Sequence, residues 1–215
     1  MSYHLVNKVP YLVIDDFFDE DEVEDIWRTL DSFDPLKLMD PEESGTAHYA
    51  TMMGSLRSKS NGGMFLKSLY DRELRHYVPI MEPLERLQRE LKKYSNDHPA
   101  LRPLQDIENE DILVSYYGQG DYYKKHFDTA TITILIWLYK EPKSFEGGGL
   151  TLEDTDYIEC KNNRVVVIPS YCFHEVDAVS MDPRLQKGGH GRWCISLFNI
   201  YHSNKHNLTS CSQSL

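Results

Sequence analysis

The segment 122–128, YYKKHFD, sets an imidazole, His126, and a carboxylate, Asp128, two residues apart. On an extended strand alternate side chains share a face, so this spacing predicts that both groups point the same way. Spacing alone decides little, because nine His and 18 Asp in 215 residues give about 0.75 such pairs by chance. A third donor, His174, follows 46 residues after Asp128 in a second strand-like run, Pro169 to Val176. Two imidazoles and one carboxylate on one face of an octahedral ion leave three positions open. That donor set suits Fe(II), with room for a chelating cosubstrate and dioxygen. Arg192 opens the run RWCISLF, in which positions 192, 194, 196 and 198 share a face. An arginine directed into an apolar interior calls for an anion, and its planar fork fits a carboxylate through two hydrogen bonds. These residues therefore ask for a metal and an acidic small molecule.

The elements that must hold them fall into two halves. In the first, Tyr11 to Ile14 reads as a short strand and Asp19 as the cap of a helix with Val23, Ile26, Trp27 and Leu30 on its apolar face. Residues 35–63, rich in Pro, Ser, Gly and Met, read as a long loop that could cover a site. Helical spacing of Phe65, Leu66, Leu69, Tyr70, Leu74 and Tyr77 predicts a helix there, broken at Pro79 and Pro83 and resuming through Leu84, Leu87 and Leu91. After about Leu104 the residues turn β-branched and aromatic. Strands are predicted at 111–117, 122–127, 131–139, 150–153, 156–160, 164–168, 173–180 and 192–201. This is a mainly β fold with flanking helices, an α+β arrangement in which a jelly roll is buttressed by N-terminal helices. We expect one domain over 1–215: a helical support region with one strand at 1–104, a core at 105–203 and a tail at 204–215.

In order along the chain, Tyr117, Gly120, Tyr123, His126 and Asp128 meet the pattern Y-x-x-G-x-x-Y-x-x-H-x-D. Thr133, the turn Gly148-Gly149-Leu150-Thr151, Pro169 five residues before His174, and Arg192 on the last strand continue it. In this respect residues 112–201 resemble the 2-oxoglutarate and Fe(II)-dependent dioxygenases, in the prolyl 4-hydroxylase-like branch. The resemblance implies a double-stranded β-helix of the cupin type. It implies that His126, Asp128 and His174 bind Fe(II) and are the catalytic set, and that Arg192 holds the distal carboxylate of 2-oxoglutarate with help from the hydroxyls of Tyr117 and Thr133. Oxygen would then be the oxidant, ascorbate an accessory reductant, and hydroxylation of a C–H bond the reaction, with succinate and carbon dioxide released. A prolyl residue in a protein or peptide is the substrate implied, with Tyr123 and Phe198 near it. Where this chain departs, Arg192 replaces a Lys that collagen-type members carry closer to the distal His, beyond an insertion at 181–190; Cys194 replaces a hydroxyl residue, and Phe198 a Trp.

Alternative readings stay in view. Within the class these are another side chain, a free amino acid or another small molecule. Outside it they are a non-catalytic jelly roll binding metal or 2-oxoglutarate, and, ranked last, a zinc hydrolase with Glu175 as base. His190 reads as a loop residue, and Trp137, Tyr139, Tyr157 and Tyr171 as packing. A net charge of −11 disfavours nucleic acid and anionic lipid as partners. Cys160, Cys172, Cys194 and Cys211 lack paired spacings, so reduced, buried thiols are expected. The start of the chain turns acidic too early for a signal peptide and no run reaches membrane-spanning length, so a cytoplasmic location is expected. Oligomeric state is not specified by these residues.

Overall fold

The computed structural model describes residues 2–6, 9–44, 59–71, 73–106 and 111–199. Thirteen strands are found among them: β1 Ser2–Val6, β2 Val9–Ile14, β3 Gly62–Phe65, β4 Asp111–Tyr117, β5 Tyr123–His126, β6 Ile132–Leu138, β7 Phe145–Glu146, β8 Leu150–Leu152, β9 Asp156–Ile158, β10 Arg164–Pro169, β11 His174–Val176, β12 Ser180–Met181 and β13 Arg192–Asn199. The helices α1, Glu20–Leu30, and α2, Met81–Leu91, lie in the first half. A seven-stranded sheet runs β1-β2-β10-β6-β13-β4-β3, a four-stranded sheet β5-β11-β8-β9, and β12 pairs with β7. Among the described residues the pairings within these sheets are antiparallel.

The large sheet is covered on both faces, and this explains why β6 (ITILIWL) is apolar throughout instead of alternating. On one face Ile134, Ile136, Val165 and Ile195 pack against Ile26 and Leu30 of α1 and Leu84 and Leu87 of α2. At about 1.5–3 kcal/mol for each fully buried Leu or Ile, this layer fixes the helices as a buttress. On the other face Leu135, Trp137, Val166 and Cys194 meet Leu150, Leu152 and Val176 of the four-stranded sheet. The jelly-roll interior lies between these two sheets.

Local chemistry sets the element ends. Asp19 caps α1 through a reciprocal box with Glu22, each backbone N–H donating to the other's carboxylate at 3.1 and 3.0 Å. Arg86 of α2 pairs with that same Glu22 and donates to the Phe17 carbonyl at 3.0 Å, so the two helices are tied at the cap.

The first half corrects the sequence reading in several places. The stretch expected to be helical from Phe65 begins at the last residue of β3, whose Gly62–Phe65 pair with Leu113–Tyr116, and continues as short 3-10 turns. Leu69, Leu74 and Tyr77 are exposed, while Leu66 and Tyr70 of the same run reach the core, so the helical period does not mark one buried face. Pro83 does not break α2, because it is the third residue of the helix, where its missing N–H has no intrahelical acceptor to lose. β1 was not foreseen, and neither was the isolated bridge from Lys59 to Tyr123 within the expected loop. In the second half every expected strand is present with ends shifted by at most about two residues, 173–180 divides into β11 and β12, and β7 is an addition the sequence reading did not include. Positions 45–58 of the loop, 200–201 of the last strand and the 204–215 tail lie outside the described residues.

Candidate metal and anion site

His126 closes β5, His174 opens β11, and the two are register partners across the strand pair. Asp128 is not on the strand, as the alternation argument had it, but two residues beyond its end. Its position is fixed by other means: its N–H donates to the Ser170 carbonyl at 2.9 Å, and the Thr133 hydroxyl donates to its Oδ2 at 2.7 Å. Thr133 Oγ1 also lies 2.9 Å from Ser170 Oγ. The donor atoms of His126, Asp128 and His174 lie within 4.8 Å of one another.

The imidazoles are oriented for ligation. His126 Nδ1 lies 2.7 Å from the Lys124 carbonyl and His174 Nδ1 2.9 Å from the Cys172 carbonyl. A carbonyl only accepts, so each Nδ1 carries the proton and each Nε2 presents its lone pair. Those Nε2 atoms face Asp128 at 3.8 and 3.5 Å. Burial, reinforced by the neighbouring His174, holds His126 well below the ordinary imidazole range, so the ring is neutral at pH 7. Two buried imidazoles and one carboxylate, converging from separate elements, fit a divalent ion of the Fe(II) kind.

These groups line a pocket whose wall also includes Arg192. Arg192 is 1% exposed, and its Nε, Nη1 and Nη2 have no hydrogen-bond partner among the described residues. Its guanidinium lies 4.6 Å from the Tyr117 ring and 5.2 Å from that of Trp137, whose buried Nε1–H is likewise unpartnered. A buried cation costs several kcal/mol unless paired, so the arrangement is built for an anion with acceptors on several sides. Gly148 makes room for it: at φ +70, a Cβ there would sit 2.8 Å from Arg192 Cδ. Tyr117, opposite Arg192 in register, is held far above its ordinary pKa by burial and so offers a neutral hydroxyl.

Thr133, expected to help hold the cosubstrate, sits behind the Asp128 carboxylate. Its hydroxyl is committed to Asp128 and Ser170, and it does not line the cavity. Tyr123 and Phe198 both line it, and Tyr123 stacks on His126 with centroids 3.4 Å apart. Tyr157 and Tyr171 are exposed rather than packed, whereas Trp137 and Tyr139 are buried. Neither His190 nor Glu175, the base named for a hydrolase, is among the described residues that line the cavity. Cys160, Cys172 and Cys194 are buried free thiols; Cys211 lies outside the described residues.

Sequence reasoning missed Lys59, Ser115 and Ser196 in the lining, and Ser170 behind Asp128. Ser115 and Ser196 were available from period-two alternation with Tyr117 and Arg192. Lys59 gave no signal, being one cation in a Ser- and Gly-rich stretch. Burial drives its pKa down to about 8 against the opposing pull of Asp128.

Residues 112–199 match the family described as the 2OG-Fe(II) oxygenase superfamily. An uncharacterized PKHD-type hydroxylase of Synechocystis sp. is 27% identical over 111 residues, a match covering 42% of this chain and 36% of that relative, about a third of its length. Among solved structures, a Pseudomonas putida prolyl-4-hydroxylase superposes with a TM-score of 0.55 at 13% identity, covering 89% of this chain and 93% of the other. The viral collagen prolyl hydroxylase of Paramecium Bursaria Chlorella virus-1, in its 2OG complex, gives 0.51 at 13% identity, with 89% and 96% covered. A 2OG-Fe(II) oxygenase family oxidoreductase of Burkholderia pseudomallei gives 0.53 at 12%, with 89% and 86% covered. These likenesses establish the jelly-roll fold. No helix among the described residues is long and apolar enough to cross a membrane.

Proposed function

We propose that this chain, whose residues 112–199 match the 2OG-Fe(II) oxygenase superfamily, is a 2-oxoglutarate-dependent hydroxylase acting on a prolyl residue of a protein or peptide. The observation that carries the reading is Arg192, a buried guanidinium whose nitrogens have no hydrogen-bond partner among the described residues, in the same cavity as three converging metal donors. His126, Asp128 and His174 would hold Fe(II), and Arg192, with the Tyr117 hydroxyl beside it, the distal carboxylate of 2-oxoglutarate. When bound, metal and cosubstrate supply oxidative decarboxylation, which splits dioxygen between succinate and a hydroxyl group on the substrate and releases carbon dioxide.

The protein's share is ligation, orientation and exclusion of water. Carbonyls of Lys124 and Cys172 fix the imidazole tautomers, and Thr133 fixes the carboxylate. Leu113, Leu135, Leu150 and Val176 give the cavity apolar walls, which strengthen charge interactions within it. Tyr123 and Phe198 offer aromatic faces for a ring such as proline.

The test supplies Fe(II), 2-oxoglutarate and ascorbate, with proline-containing peptides, and measures succinate by chromatography and added oxygen by mass spectrometry. Succinate release coupled to hydroxyproline supports the reading. Tight 2-oxoglutarate binding without succinate under any condition supports a sensor and rejects the enzyme.

A further inference from the structure

Cys194 stands two residues after Arg192 on the cavity face of β13, about 6–7 Å along the strand. Both residues line the cavity, and Cys194 Sγ lies 3.6 Å from the Ser196 hydroxyl. The thiol interacts electrostatically with both cations of the lining, the Arg192 guanidinium and the Lys59 ammonium. Arg192 presents three buried nitrogens with no hydrogen-bond partner among the described residues. An anion receptor and a sulfur nucleophile therefore share one wall of the cavity.

The other described thiols are placed differently. Cys160 and Cys172 are each 1% exposed, and neither is among the lining residues. Burial pushes the Cys160 thiol up against the opposing pull of Arg192, and it pushes Cys172 up to about 12. Both are held as inert thiols, closed off from a molecule in the cavity. Cys194 faces whatever enters it.

We propose that Cys194 is a covalent modification site for an electrophilic carboxylic acid, with an unsaturated dicarboxylic acid as the class that fits. Arg192 takes one carboxylate through its planar fork, which brings the alkene against the sulfur. A sulfur–carbon bond forms at one alkene carbon as the π bond breaks. The electron pair moves to the other alkene carbon, which takes up the proton released by the thiol. The adduct is the sum of protein and diacid, so no oxidant or reductant is consumed. Its carboxylates stay beside Arg192 and exclude a second diacid. The proposal rests on the hydroxylase reading only in using Arg192 as a carboxylate anchor, and it requires neither metal nor turnover.

The full chain is treated with iodoacetate or with iodoacetamide, matched reagents that alkylate sulfur with loss of iodide and differ in charge, and separately with fumarate. Peptide mass spectrometry then reads each cysteine. Iodoacetate modifies Cys194 about 10- to 100-fold faster than iodoacetamide does, the scale of a hydrogen bond to a charged group, while Cys160 and Cys172 lag behind with both reagents. Fumarate adds its whole mass to the chain, and Cys194→Ser abolishes that gain. Arg192→Met brings the preference for iodoacetate close to unity; a cooperative unfolding transition in denaturant establishes that this variant is folded, and Arg192→Gln replaces it where it is not. A Cys194 indifferent to reagent charge, a preference unmoved by loss of the guanidinium, or fumarate carried by Cys160 or by no cysteine overturns the assignment. Excess 2-oxoglutarate with Mn(II) slows the directed alkylation if the hydroxylase reading holds. Alkylation of Cys194 that ignores 2-oxoglutarate overturns that reading and leaves the modification site standing, whereas succinate release by a chain whose Cys194 shows no preference for iodoacetate overturns the modification site alone.

Discussion

Replacing Arg192 with methionine should move ligand affinity and fold stability in opposite directions. The guanidinium is 1% exposed, lies against the rings of Tyr117 and Trp137, and has three nitrogens without a hydrogen-bond partner among the described residues. In the complex it would face a carboxylate in a dry cavity, and removing one member of such a buried pair costs about 3–5 kcal/mol. At about 1.4 kcal/mol per tenfold, 2-oxoglutarate affinity falls by roughly two to three and a half orders of magnitude. In the ligand-free protein the same change removes an uncompensated buried charge and leaves a flexible apolar chain of similar length. Stability should therefore hold or rise, by up to about 4 kcal/mol if the gain matches that seen when buried ions give way to apolar residues. Calorimetric titration of 2-oxoglutarate into Mn(II)-loaded protein measures the first effect, and denaturant unfolding of the apo variant the second. A loss of affinity below fivefold would refute the anchoring role. A marked loss of apo stability would mean that Arg192 is held by the fold rather than reserved for a ligand.

Other consequences follow from the same geometry. Thr133→Val removes the hydroxyl 2.7 Å from Asp128 Oδ2 and should weaken metal binding about 10- to 100-fold; unchanged metal affinity by competition with a chromogenic chelator would deny the positioning role. Gly148→Ala forces a side chain into the positive-φ position beside Arg192 Cδ, so 2-oxoglutarate affinity should drop while metal affinity stays close to the wild type, a split that paired titrations would detect. His126 is held below its ordinary pKa by burial, so as pH falls through about 6.5 the unfolded chain binds a proton that the folded ring resists. The apo protein should therefore lose stability as pH drops across that window, and His126→Gln should flatten the slope; an unaltered slope would contradict the burial argument.

The strand-rich half was legible because both faces of its large sheet are covered, leaving runs such as Ile132–Leu138 continuously apolar. The metal donors were legible because residue type and order survive without coordinates, although Asp128 reaches its place through Ser170 and Thr133 instead of by strand alternation. Arg192 announced itself as a charge on an apolar strand. The failures share a cause. Leu69, Leu74 and Tyr77 repeat at helical spacing yet face solvent, and no single-chain pattern distinguishes that from a buried face. Lys59 depends on a non-local bridge to Tyr123, which turns an unremarkable lysine into part of the cavity wall. The resemblance implied a cosubstrate role for Thr133, but the direction of its hydroxyl depends on neighbours 5 and 37 residues away.

The convergence of His126, Asp128 and His174 on one divalent ion is tested most directly by counting bound Mn(II) with electron paramagnetic resonance in the wild type and in Asp128→Ala. The arrangement predicts one tightly held ion per chain, its signal altered by added 2-oxoglutarate, and loss of both the ion and that response in the variant. Retention of the ion in Asp128→Ala, with the response to 2-oxoglutarate intact, would contradict it.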